Sequence, residues 1–148
     1  MRSQIVLLTA TLVTACAGAP LTTSFTEASP SPTPDVFGCV RQQLKEVAFD
    51  QTSIDVNDYR LTARKYNEKV RRPDVMFRRL VDRLEVVVKP GVGDTVTALS
   101  IHARTFAESV TQRGPTEEQE KTSETARAAA QTILQKCSQP VDSLSVPG

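Results

Sequence analysis

The chain has no tryptophan, and its aromatic complement is two tyrosines and five phenylalanines. A core must therefore be assembled from Val, Leu, Ile and Ala, a palette that suits helices. Histidine occurs once, at His102, and no Cys-x-x-Cys spacing accompanies it, so a zinc-type ligand set is not expected. Neither sign of charge dominates: the formal net charge is +1, which gives no general drive toward nucleic acid or anionic membrane. Gly-rich phosphate loops, Gly-x-Ser-x-Gly, His-Glu-x-x-His and EF-hand patterns are absent. No catalytic residue, metal ligand or cofactor is expected on these grounds. No apolar run approaches the ~20 residues a membrane-spanning helix needs. At 148 residues, 39% hydrophobic and 24% charged, the chain is of globular composition and one domain's length.

The longest apolar stretch is Ile5 to Ala15, behind a start that carries only Arg2. Its length fits the hydrophobic region of a secretory signal peptide over 1–15. It ends at Val13-Thr14-Ala15-Cys16, an aliphatic residue, two small residues and a cysteine. These four residues resemble the lipobox of bacterial lipoproteins. The resemblance implies diacylglyceryl attachment at Cys16, cleavage just before it, and an extracytoplasmic protein held to the membrane by lipid. Ala15-Cys16-Ala17 also fits a plain small-x-small cleavage site, and a soluble secreted protein is the alternative.

Residues 17–35 are rich in Ser, Thr, Ala and Pro and show no period. Ser29-Pro30-Ser31-Pro32-Thr33-Pro34 favours extended polyproline II. We expect 16–35 to be a lipidated cysteine and tether, of a kind similar to those of Gram-positive and actinobacterial lipoproteins, where they can be O-glycosylated. The folded domain is expected over 36–140, and a disordered tail over 141–148.

Four helices are expected in that domain. The first opens at Thr33-Pro34-Asp35 and runs toward Asp50, with an apolar stripe at Phe37, Val40, Leu44 and Val47. The second, capped by Asp55, carries Tyr59, Ala63, Tyr66 and Val70 and continues in phase past a kink at Pro73, covering about 56–88. The third begins near Asp94 with Val96, Leu99, Ala103, Phe106 and Val110. The last opens with the capping box Thr116-x-x-Gln119 and carries Ala126, Ala130, Ile133 and Cys137. The run Glu85 to Lys89 reads as a strand in isolation, but no partner strand is evident.

Three cysteines are an odd number. If Cys16 takes the lipid, Cys39 and Cys137 are left to each other. In an up-down four-helix bundle the start of the first helix and the end of the last share one end, so a Cys39–Cys137 disulfide selects that topology over five helices. Two free thiols are the other reading of the pair.

Charge is unevenly placed. From Asp58 to Lys89 there are ten basic residues against five acidic ones. Arg71, Arg72, Arg78 and Arg79, around Pro73, form a candidate basic patch for an acidic envelope polymer, headgroup or protein; a solvated helix surface laced with i,i+4 pairs is the plainer reading. Tyr59, Tyr66 and His102 are candidate ligand residues for haem or lipid in the bundle core. The expectation is thus an all-α, lipid-anchored envelope module that binds a protein or polymer without catalysis; a haem- or lipid-binding protein is the alternative, and oligomeric state is left open.

Overall fold

A computed structural model describes residues 20–93 and 96–140. It corrects the all-α expectation: a six-stranded antiparallel sheet carries two helices on one face. In chain order the elements are β1 (Thr23–Ser29), α1 (Thr33–Glu46), β2 (Asp50–Asp55), β3 (Arg60–Asn67), β4 (Phe77–Pro90), β5 (Thr97–Thr111), β6 (Gly114–Glu120) and α2 (Glu124–Cys137). The strands lie in the order β1-β5-β4-β3-β2. β6 continues the β1 edge: β1 pairs with residues 97–103 of β5, and β6 with residues 105–111.

The sheet forms because the dominant period from 79 to 107 is two. In β5, Leu99, Ile101 and Ala103 are fully buried, while Ser100, His102 and Arg104 between them are only partly covered. The expected helical stripe drew on both faces of this strand and its end. Leu99 and Ala103 point inward, Phe106 points the other way, and Val110 is 49% exposed. In β4, Leu84, Val86 and Val88 are inward, alternating with Arg83, Glu85 and Val87. The strand partner sought for Glu85–Lys89 is β5 itself, paired with β4 from Phe77 to Pro90. Pro73 neither kinks nor breaks a helix; it lies in the connection between β3 and β4.

Local capping chemistry was real but served other ends. Asp55 Oδ1 accepts the backbone N–H groups of Asn57 and Asp58, which closes the β2–β3 hairpin rather than a helix. Thr116 and Gln119 belong to β6. Gly114 ends the two-residue β5–β6 turn at φ 111°, where a side chain would be strained. The cap of α2 is Ser123, whose Oγ accepts the Ala126 N–H at 3.0 Å.

The two real helices keep their expected stripes. Phe37, Val40 and Leu44 of α1 and Ala126, Ala130, Ile133 and Cys137 of α2 are buried against the inward side chains of the sheet. Cys39 and Cys137 are disulfide-bonded, with Cα atoms 5.7 Å apart. Laying both helices side by side on one sheet face satisfies the pairing that had suggested a bundle.

The domain also starts earlier than expected. Thr23–Ser29, assigned to the tether, is strand β1, and the backbone carbonyl of Leu21 accepts the Thr122 hydroxyl at 2.9 Å. Pro34 lies in the first turn of α1. The signal segment 1–15, Cys16 and the tail 141–148 lie outside the described residues.

Candidate functional site

The face of the sheet opposite the helices is uncovered by any described element. Alternation along β3, β4 and β5 and their antiparallel register sort its side chains into cross-strand rows. One row joins Thr62, Glu85, His102 and, on β1, Ser24. The next joins Arg64, Arg83 and Arg104, which stand directly opposite one another on three adjacent strands. The third joins Tyr66, Val81 and Phe106. Val81 is 1% exposed even on this face.

The arginine row is the electrostatic feature of the face. Strands are about 4.8 Å apart, and like charges directly opposite destabilise a sheet. Two members find acids at the flanks: Arg83 meets Glu117 at 2.6 Å, and Arg104 meets Glu85 at 3.2 Å. Glu85 is shared with Arg60 at 3.0 Å. Arg64 has no carboxylate within ion-pair reach among the described residues. The rings of the third row hold the guanidinium planes: Arg83 lies 4.6 Å from the Phe106 centroid, and Arg64 and Arg79 lie 5.0 and 3.6 Å from that of Tyr66. A shallow cavity of about 330 Å³ opens over the row, lined by Thr62, Arg64, Arg83, Glu85, His102 and Phe106 among others.

Ser24, His102 and Glu85 are the residue types of a nucleophile, a base and an orienting acid, in adjacent register positions. Ser24 Oγ lies 2.8 Å from His102 Nδ1. Among the described residues the acid makes no hydrogen bond to the imidazole; its two oxygens accept instead from Arg60 and Arg104. The geometry therefore describes a hydrogen-bonded surface row rather than an activated serine.

The residues singled out from sequence are dispersed. Tyr59 sits at the β2–β3 turn with φ 47° and packs edge-on against Phe37, on the helix side. Tyr66 and His102 are on the open face in different rows, so the three do not line a common pocket. The bundle core that would have received haem or lipid is not present. Of the four arginines around Pro73, Arg72 is bidentate to Glu120, Arg78 and Arg79 both meet Glu108 (at 3.3 and 3.2 Å), and Arg79 also meets Glu68 at 3.1 Å. Arg71 donates to the Glu68 backbone carbonyl. Three of these cations are thus matched by carboxylates of their own.

Hydrogen bonding from Arg72 holds the Glu120 carboxyl below its ordinary pKa, and the same bond raises the Arg72 guanidinium. A carboxyl whose folded pKa is depressed stabilises above its unfolded pKa and loses that contribution as pH falls through the folded value. Both side chains are about a third exposed (35% and 31%), so the pair is worth at most about 1 kcal/mol. A Glu120→Gln variant should melt a few degrees below the parent at pH 7, and the gap should close as pH drops below the ordinary carboxylate range. A gap that stays constant across that acid limb would show that charge is not its source.

The chain matches no protein-family model and no curated protein. Function therefore has to be argued from the face itself.

Proposed function

We propose that this is an exported, lipid-anchored protein whose folded domain binds an anionic partner through the open face of its sheet, without catalysis. The anchor rests on the lipobox resemblance at Val13-Thr14-Ala15-Cys16. The binding role rests on one observation: three arginines stand in a single cross-strand row on an uncovered face. A row that opposes like charges reduces stability, and binding an anion is a physical reason for keeping it. The disulfide supports an oxidising, extracytoplasmic location.

Three measurements test the reading. Intact mass of the mature protein should carry a diacylglyceryl addition at Cys16, and Cys16→Ser should release the protein from a membrane fraction washed in high salt, which the lipidated parent survives. An Arg83→Glu/Arg104→Glu variant with a parental far-ultraviolet spectrum should lose at least ten-fold in retention on anionic envelope material. Unchanged retention would remove the open face as the binding surface.

A further inference from the structure

The proposed anchor is six residues from Thr22, a position that the fold places beside the arginine row. Ser24 is opposite His102 and Thr23 opposite Ala103, so Thr22 is level with Arg104 on the neighbouring strand position. Thr22 is tied there by Gln119, whose Nε2 donates to its Oγ1 at 3.1 Å. Gln119 itself is opposite Phe106. The chain therefore leaves the domain beside the β5 end of the arginine row. From Cys16 to Thr22 is six residues, which span at most about 20 Å when fully extended. A lipid on Cys16 holds Thr22 within that distance of the bilayer surface, with Arg104 about one strand spacing and Arg64 about three strand spacings, some 14 Å, beyond it.

We infer that the Arg64–Arg83–Arg104 row docks onto the phosphate groups of anionic phospholipids in the membrane that carries the anchor. This rests on the lipid-anchored reading above and names the partner of the same face. Charge complementarity and reach both favour this occupant. In the row itself three arginines, Arg64, Arg83 and Arg104, face two carboxylates, Glu85 and Glu117, so the row keeps an excess of one positive charge although the whole chain is nearly neutral; Arg60, which shares Glu85, stands opposite Asp55. Guanidinium edges pair with phosphate oxygens two at a time. A lipid anchor gains most from a second, electrostatic signal when the basic groups lie at the anchored end. The shallow cavity over the row has room for a headgroup, not for a buried acyl chain.

The test uses the full mature chain with Cys16→Ser, so that no acyl chain contributes. Partition is measured onto vesicles of phosphatidylcholine alone and of phosphatidylcholine with about a third phosphatidylglycerol. Each basic residue near an anionic leaflet contributes about fivefold; with Arg83 and Arg104 already paired to Glu117 and Glu85, the row's excess of one charge predicts about a fivefold preference for the anionic vesicles. That preference should collapse in added salt. Arg64→Gln/Arg83→Gln/Arg104→Gln should abolish it, and the variant should remain folded because like-charge opposition is removed; its melting curve checks this. If that variant does not fold, Arg64→Gln alone, an exposed site without a carboxylate partner, carries the test with a fivefold loss.

Equal partition onto the two vesicles overturns the proposal, as does anionic preference that survives the arginine substitutions. Binding of inorganic phosphate by protein that shows no preference for the anionic vesicles would assign the row to a soluble phosphate ester and also overturn it. Because acylation is read separately by mass, an unmodified Cys16 would end the anchor while leaving the vesicle result to stand or fall by itself.

Discussion

A Cys39→Ala/Cys137→Ala variant is expected to lose about 3–5 kcal/mol of stability, and its melting temperature to fall by about 10–20 °C. The bond joins residues 98 apart in sequence, so it removes a large loop from the unfolded ensemble, and the chain-entropy relation gives about 4–5 kcal/mol for such a loop. The covered face needs this help. The stripe of α2 is mostly small: Ala126, Ala129 and Ala130 bury little apolar area beside Ile133 and Leu134. α1 follows the first strand and α2 follows the last, so no short loop ties either helix to the other. Reducing the parent protein should reproduce the loss. The denaturant slope should rise with it, because the cross-linked unfolded chain is more compact. If reduced and oxidised protein differ by less than about 1 kcal/mol, the bond closes a structure already held by its side chains.

The helices were legible because their stripes and punctuation agree. Pro34 falls in a first turn, and Ala126, Ala130, Ile133 and Cys137 fall on one face whichever helix start is chosen. The strands were misread for a specific reason. Strand alternation in β5 places apolar groups at 99, 101 and 103, and a helical stripe is obtained by skipping Ile101 and adopting Phe106 from the other face. Phe106 is an outward aromatic that packs under Arg83, so apolar character alone did not mark the inside. Capping residues added to the error, since an Asx turn and a helix N-cap use the same short side chain on the same backbone donors.

The arginine row was hidden by the same mistake. Arg64, Arg83 and Arg104 are each flanked by inward residues, and register alone brings them together. No local motif contains them. By contrast Arg71, Arg72, Arg78 and Arg79 cluster in sequence, but Arg72, Arg78 and Arg79 are all matched by acids, whereas the row keeps Arg64 without a carboxylate partner among the described residues. Charge patterning along a chain reports a face only after the period of the element is known.

Asp82 is the second position at which a single change should be severe. It occupies an inward site on β4, between Leu80 and Leu84, and is fully buried. Its Oδ1 accepts the hydroxyls of Thr105 at 2.6 Å and Ser123 at 2.7 Å. Thr105 Oγ1 in turn accepts the Ser123 N–H at 2.8 Å, and Ser123 Oγ accepts the Ala126 N–H. One carboxylate thus fixes the cap residue of α2, at the helix end where negative charge is favoured. Burying a charge away from a cation is costly, and the side chain at the opposing register position, Lys65, is drawn instead to the Val47 carbonyl at 3.0 Å. The helix N-terminus and the two hydroxyls take the place of a counter-ion. Asp82→Ala removes the acceptor and leaves one buried hydroxyl donor, Thr105, and one half-buried donor, Ser123, unmet, so a loss of about 2–4 kcal/mol is expected by thermal or urea unfolding. Asp82→Asn keeps an oxygen acceptor of the same reach and should recover more than half of that loss. Equal destabilisation by Asn and Ala would mean that the negative charge at the helix end, rather than the hydrogen-bonded cap, holds α2 on the sheet.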